Sequence, residues 1–450
     1  MIFRWVQEVP TFSCFLEEGA GGKRMHILTK LIKDDMRPAL GVTEPGAIAY
    51  AVALAKQHVT GTVKKICVLL NSGMYKNAFT CGIPNSDHVG NIYAAALGAV
   101  AGNPEKGLEA LEEVTEEAQL AAEKMIEEGI VQVQMDHVGS EITIDAVIKT
   151  SDDECTVKIA GGHTDVYFIE KNGQVIFSKE RLAQKEEQPA QIHNYTLKEL
   201  VQYIRSVDEN EIAFIHQAFQ VNMELLKEGL SSDKTTFAPL LLEKNKGKIF
   251  SDSEIDTAQL LCNGAIEARV LGLNKPAMSI TGSGAHGIIA TLPLLAYYKI
   301  HEEELSEDAL LRAAALSYLI TMYIKEYSGK LSAFCGCGIA AGTGMACGLC
   351  YLKGGEIEAM EKVICNMASG ITGMICDGGN QGCTMKGIVA VDAAFRAVNL
   401  ALAGASIHTV HGINGKTPED TMRYMGRIAS PGMTGTEQTI VEIMQEKQEG

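Results

Sequence analysis

Hydrophobic and polar positions change their spacing along the chain, and the changes divide it. From about Met25 to residue 60 the spacing predicts a helix, a loop at GVTEPG and a second helix, AIAYAVALAKQH. Between about Val63 and Ser178 strand-like patterns enter. KKICVLL is an apolar run of strand length, while IYAAALGAVAG and GLEALEEVTEEAQLAAEKMIEEG have helical spacing with acidic faces. EITIDAVIKT, ECTVKIAGG and VYFIEKNGQVIF alternate apolar and polar residues, as half-buried antiparallel strands do, and KNG suits a hairpin turn. The charged, proline-containing stretch SKERLAQKEEQPAQIHNYT marks a boundary. From about Leu197 to Met444 nearly everything has helical spacing with short glycine-bearing joints.

The expectation is an α+β protein. A smaller α/β domain with mainly antiparallel strands covers residues 61–190, and a larger all-helical catalytic domain covers 195–445. Residues 25–60 form a helical segment packed on the helical domain, and residues 1–24 read as a leader or extension. The small-residue stretches CGCGIAAGTGMACG and FRAVNLALAGAS predict closely approaching helix backbones.

The chain has 450 residues, enough for a large buried core, and a formal charge of −17. That charge argues against nucleic acid or an anionic membrane as partner and favours a small molecule. The N-terminal residues carry Glu8, Glu17 and Glu18 and lack the apolar run of an export signal. GIVAVDAAFRAVNLALAGASI, the strongest candidate for a membrane span, is interrupted by Asp392 and Arg396 and reads as a core helix. A cytoplasmic protein follows, compatible with a homodimer. Its 12 cysteines are then reduced thiols, most of them packing as small buried hydrophobes, Cys347 and Cys350 among them.

Cys376 and Cys383 bracket a loop, DGGNQG, that is poorly suited to a core. The spacing is not that of a zinc ribbon, and no second CxxC with a nearby His completes a zinc set. Iron–sulfur clusters tolerate wide spacing because their ligands come from separate loops, and glycine N–H groups can face anionic sulfides. Cys335 supplies a third thiolate, with Cys337 the competing choice; core thiols beside a tight loop are the alternative. GSGAHG (Gly282 to Gly287) fits the GxGxxG pattern, yet no second parallel strand follows to complete a dinucleotide fold. The same glycines suit a nest at a helix N-terminus that holds a substrate carboxylate, with Ser283 and His286 as polar handles. In GVTEPGA, Thr43 is the expected N-cap, with Glu44 and Pro45 in the first turn. NSGMYKNAFTCGIPNSD reads as a polar loop in which Lys76 and Asn77 could meet a carboxylate, and IAGGHTDVYF places His163 after two glycines inside a strand.

Read in order, TEPGAIAYA, SGMYKNAFTCGIPNS, IAGGHTD, GSGAHGIIATLP, GKLSAFCGCGIAAGTGMACG and MICDGGNQGCTMK resemble the L-cysteine desulfidase family, relatives of the iron–sulfur L-serine dehydratases. The resemblance runs from about Lys30 to Asn399. It implies a [4Fe–4S] cluster on Cys335, Cys376 and Cys383, with one iron open to substrate. The reaction it implies is pyridoxal-free α,β-elimination, from L-cysteine to sulfide, ammonia and pyruvate, or from L-serine to ammonia and pyruvate. Substrate would be held by Thr43, Glu44, Pro45, Ser72, Lys76, Asn77, Gly282, Ser283, Gly284 and His286; the resemblance names no general base, and Lys76, His163 and His286 are candidates for polar roles. Three departures stand out. The desulfidases commonly read GCTEP where this chain has Val42, many serine dehydratases finish with a cysteine where this chain ends QEKQEG, and GSGAHG replaces a motif that often has an Asn–Gln pair. A non-catalytic cluster or amino-acid-binding homologue is the alternative that Val42 raises.

Overall fold

The computed structural model describes residues 25–180 and 190–449, so the expected leader and the middle of the charged linker lie outside the described residues. The chain starts with helix α1 (Ile27–Asp35), strand β1 (Arg37–Leu40) and helix α2 (Thr43–Gln57). Six strands follow, β2 (Val63–Asn71), β3 (Val131–His137), β4 (Thr143–Thr150), β5 (Glu154–Ala160), β6 (Val166–Lys171) and β7 (Gln174–Ser178). Helices α3 (Ser72–Ala78), α4 (Asn91–Ala101) and α5 (Glu116–Glu127) make the crossover from β2 to β3.

The strands form one sheet in the order β3-β2-β4-β5-β6-β7. Every neighbouring pair is antiparallel except β2 and β3, which run parallel with Ile66 opposite Val131. A parallel neighbour requires a long crossover, and the three helices supply it. In β3, Val131 and Val133 are buried while Gln132 and Gln134 point to solvent, the alternation of a half-buried strand. The hairpin at Asn172–Gly173 has φ of 50° and 78°, as the tight turn read from KNG requires.

Residues 25–60 do not pack as one unit on the helical domain. Leu28 and Ile32 of α1 join the helical core, whereas Ala47, Ile48, Ala51 and Val52 of α2 join the sheet's core with Ile66, Val68, Ile144 and Ala146. The reason is α2's composition. Ala47, Ile48, Ala49, Ala51 and Val52 are all fully buried, so the helix needs cover on several sides, from the sheet and from Ala94 and Leu97 of α4.

The helical part comprises α6 (Leu197–Ser206), α7 (His216–Ser231), α8 (Phe237–Lys244), α9 (Glu254–Val270), α10 (Gly284–Ile300), α11 (Glu307–Ser328), α12 (Gly342–Leu352), α13 (Ile357–Ile371), α14 (Gly382–Leu402), α15 (Pro418–Arg427) and α16 (Thr434–Glu449). Helices α9, α10 and α11 are buried along most of their lengths and form its centre. Close backbone approach is realised where α12 meets α11, since a Cβ on Gly344 would lie 2.3 Å from the carbonyl oxygen of Ser317. Strand β8 (Pro276–Ser279) pairs antiparallel with β1, Arg37 opposite Ser279. GSGAHG therefore follows a strand and opens a helix without a parallel βαβ unit. Helix α16 returns to the junction, placing Val441 in the sheet's core and Ile440 and Met444 against Ala333 and Phe79. Among the described residues no helix is long and apolar enough to cross a membrane.

Candidate active site

The three cysteines come from two loops laid side by side. Phe334 and Ile375 form an antiparallel bridge, flanked by Cys335 N–H donating to the Met374 carbonyl (3.1 Å) and Cys376 N–H donating to the Ala333 carbonyl (2.6 Å). Alternation along this extended pair puts Cys335 and Cys376 on one face. Cys383 enters from the start of α14, its thiol turned back to the Gly378 carbonyl at 3.4 Å. Burial pushes the Cys383 thiol up to about 11, with Lys386 opposing and Cys376 and Cys335 adding to the rise. Cys376 and Cys335 thus both lie within electrostatic reach of Cys383. Cys337 opens the turn before α12 and lies beside Cys335, whose own pKa its thiol and burial raise.

Among the described residues no group of three or more His, Cys, Asp or Glu side chains closes around a single ion. Donors on separate loops suit a larger object than one ion, and the surroundings are cationic. Burial disfavours charge on Lys386, but Cys383, Asp377 and Cys376 more than compensate, and it pairs with Asp377. Such cations favour thiolate over thiol. The glycine loop fits its surroundings closely: Gly378 has φ +107°, and a Cβ there would sit 2.4 Å from the Lys76 carbonyl oxygen.

The N-terminus of α2 meets this loop. Val42, not Thr43, occupies the N-cap position; Thr43 is the first helical residue and donates its hydroxyl to Glu44 Oε2 at 3.0 Å. The extended backbone of Val42 ends before the helix, so the cap lies one residue earlier than expected. Pro45 follows in the first turn, buried. Val42 is 4% exposed, and its methyl would stand 2.8 Å from a Cβ on Gly379. Val42 therefore abuts the cysteine loop with an inert methyl.

The first part of the segment expected as a polar loop after β2 is helical, because Met74, Tyr75 and Ala78 are buried on α3. Ser72 exchanges hydrogen bonds with Gly139. Lys76 is fully engaged, donating to the carbonyls of Ser332 (2.9 Å) and Cys376 (3.0 Å) and pairing with Glu437 of α16 (3.0 Å). Asn77 donates to Glu44 Oε1 at 2.9 Å, and its own carbonyl oxygen lies 3.9 Å from Cys376 Sγ. His163 sits in the turn between β5 and β6, not inside a strand, since Gly161 at φ +92° ends the ladder. Its Nε2 is 3.9 Å from Glu44 Oε1, an electrostatic contact that leaves the nitrogen without a hydrogen-bond partner. Burial alone would raise the Glu44 carboxyl, but His163, Asn77 and Arg269 bring it down to about 2.

The GSGAHG loop closes the other side. Gly282 has φ +75°, and Ser283 caps α10 by its backbone, with no side-chain cap bond. His286 is buried in the first turn of α10, with Nδ1 at 2.6 Å from Thr281 Oγ1, and a Cβ on Gly336 would meet its Nε2 at 2.6 Å. It therefore touches the residue between Cys335 and Cys337. Burial, then Lys325 and Arg269, lower its pKa to about 3, so the ring is neutral. Lys325, also buried, donates to Ser328 Oγ and the carbonyls of Gly329 and Lys330; burial brings its pKa down to about 8.

Sequence reasoning missed Arg269, Lys325 and Glu437. Each sits on a helix, and a lone charge in an apolar run, as in ITMYIKEY, was the available signal. A surface cavity of about 490 Å3, lined by Ala368, Thr372 and His411 among others, contains none of the thiols.

Comparison with known proteins identifies the family. The family model described as serine dehydratase alpha chain matches residues 105–442. A UPF0597 protein of Clostridium botulinum (strain Langeland) is 39% identical over 429 residues, covering 93% of this chain and 98% of its own. Similar proteins occur in Caldanaerobacter subterraneus (35% over 428 residues, covering 95% and 100%) and Clostridioides difficile (32% over 421 residues, covering 92% and 98%).

Proposed function

The chain belongs to the serine dehydratase alpha-chain family, and on that premise we propose that it is a pyridoxal-independent lyase. The substrate is a small β-substituted amino acid, L-cysteine ahead of L-serine, and the products are pyruvate, ammonia and sulfide or water. One observation carries the reading: Cys335, Cys376 and Cys383 share a buried junction with the TEPG helix, Asn77 and the start of α10. The donor set fits a [4Fe–4S] cluster, which when bound would supply a Lewis acid for the β-leaving group.

The protein's own groups do the rest. The N-terminus of α10 and Ser283 orient the carboxylate, and Asn77 and ionised Glu44 face the amine. His163 is the candidate base for the Cα proton, because its Nε2 is buried without a hydrogen-bond partner, 3.9 Å from Glu44 Oε1. Neutral His286 holds the α10 turn against Gly336. The test is iron, acid-labile sulfide and keto-acid release, measured on protein prepared without oxygen. Roughly four irons per chain, with pyruvate from one of the two amino acids, is expected; iron-free protein after reconstitution, or no keto acid from any amino acid, overturns the reading.

Val42 favours a second reading, a binding homologue without turnover, because an inert methyl abuts the cysteine loop where the L-cysteine desulfidases commonly read a cysteine. That reading predicts stabilisation by amino acids with no product, and measurable elimination rejects it.

A further inference from the structure

Among the described residues four cations surround the thiol junction, and three are spoken for. Lys76 pairs with Glu437, Lys386 with Asp377, and Lys325 points its ammonium at a hydroxyl and two carbonyls. Arg269, near the C-terminal end of α9, is different. It is 5% exposed, its Nε has no hydrogen-bond partner, and no carboxylate among the described residues comes within ion-pair distance. A guanidinium carries five donors and stays charged, so a buried one without acceptors is a costly arrangement that an anion would relieve.

Its position names the anion's place. The side chain lies across the first residue of α10: a Cβ on Gly284 would meet Arg269 Nε at 2.6 Å and Cδ at 3.1 Å. Glycine at 284 is what lets the arginine stem pass. Arg269's charge reaches Glu44 and His286 and also Cys81, which lies within electrostatic reach of Cys383. The first N–H groups of α10, at Gly284, Ala285 and His286, precede the first intrahelical bond and point out of the helix end. A fixed cation thus lies beside the positive end of a helix.

We propose that Arg269 and the N-terminus of α10 together form the subsite that binds the carboxylate of the amino-acid substrate. The proposal rests on the reading of this junction as an amino-acid site. It makes Arg269 the charge anchor, with the helix N–H groups fixing the orientation of the carboxylate. Glu44, within electrostatic reach of the guanidinium, then faces the ammonium group, so the two ends of an α-amino acid meet opposite charges.

Binding without turnover tests this. L-alanine has the carboxylate and ammonium but no β-leaving group, and ethylamine lacks the carboxylate. Isothermal titration of the anaerobically reconstituted full chain should show L-alanine binding and no ethylamine binding. Arg269→Gln should raise the L-alanine Kd by roughly tenfold to a hundredfold, the range of a lost charge-assisted pair. Arg269→Lys should raise it less, and Gly284→Ala, which pushes on the arginine stem, should also weaken binding. If Arg269→Gln fails to fold, the lysine and Gly284→Ala variants decide: wild-type affinity in both overturns the proposal. Wild-type affinity in a folded Arg269→Gln, ethylamine binding as tight as L-alanine, or no L-alanine binding by the wild type overturns it likewise. The two readings fail separately. Arginine-dependent L-alanine binding without elimination retains this proposal and removes the lyase; elimination indifferent to Arg269→Gln does the reverse.

Discussion

Lys76 was one of three sequence candidates for a polar role in the site, and the structure gives it a structural job that can be measured. Its ammonium is buried, 1% exposed, and so is its partner Glu437 at 4%. Burial opposes the charge on Lys76, but Cys376 and Glu437 outweigh it and the pKa is raised, so the lysine stays ionised. Lys76→Met therefore leaves a buried carboxylate unpaired, at a cost of about 3–5 kcal/mol. It also strips the Ser332 and Cys376 carbonyls of their donor, each worth about 1–3 kcal/mol if buried and unsatisfied. Glu437→Gln leaves the ammonium with its two carbonyl acceptors, so it should cost less. The double variant should recover part of the loss, because a buried ion pair replaced on both sides is often close to neutral. Urea midpoints for the four proteins of this cycle, with hydrogen exchange of the α16 peptides, read the effect. The exchange should rise in α16 (residues 434–449) before the sheet opens. A Lys76→Met protein with unchanged midpoint and α16 protection, but no elimination, would refute the clamp and return the lysine to the chemistry.

Three further outcomes are expected. His286 has its pKa depressed from 6.5 to about 3 in the fold, burial being the main cause. The unfolded chain then binds the extra proton first, so stability present above about pH 6.5 falls on acidification, by up to about 2 kcal/mol at about pH 5; urea midpoints should show that slope, and His286→Gln should lack it. Gly378→Ala forces a side chain into φ +107° and against the Lys76 carbonyl, a strain of at least about 1–3 kcal/mol confined to the loop. Iron per chain should drop while far-UV circular dichroism is kept; full iron loading would show that the loop does not shape the site. Val42→Cys is nearly isosteric and should change stability by less than about 1.5 kcal/mol, while sulfide release from L-cysteine should rise. An unchanged rate means that the valine limits nothing.

Much of the architecture was legible because it is written in period. The two-residue alternation of ITIDAVIK and CTVKIA became β4 and β5 with Ile144, Ala146, Ile148, Cys155 and Val157 on the buried face. What failed was where neighbours decide. SGMYKNA looked polar by its loop-like residues, but Met74, Tyr75 and Ala78 find cover, so the same letters wind into α3. The partnership of α2 was equally invisible. A helix buried on nearly all sides can join either of two cores, and nothing local says which.

The site divides along the same line. Cys335, Cys376, Cys383, Glu44 and the α10 turn lie in or beside glycine-bearing stretches whose composition departs from packing, so the sequence flags them as candidates. Arg269 could not, because its importance is a matter of partners. Two residues before it on α9, Glu267 is also a buried charge in an apolar helix and raises the same flag in the sequence. Yet Glu267 accepts from the N–H groups of Thr236, Phe237 and Ala238 and from Gln381, which makes it a cap for α8 and an anchor for the cysteine loop. Its charge is spent within the fold. Arg269 has the same burial and none of that satisfaction. A buried ion that the protein itself satisfies holds the fold together; one left with open donors beside a helix N-terminus is poised for something that arrives from outside.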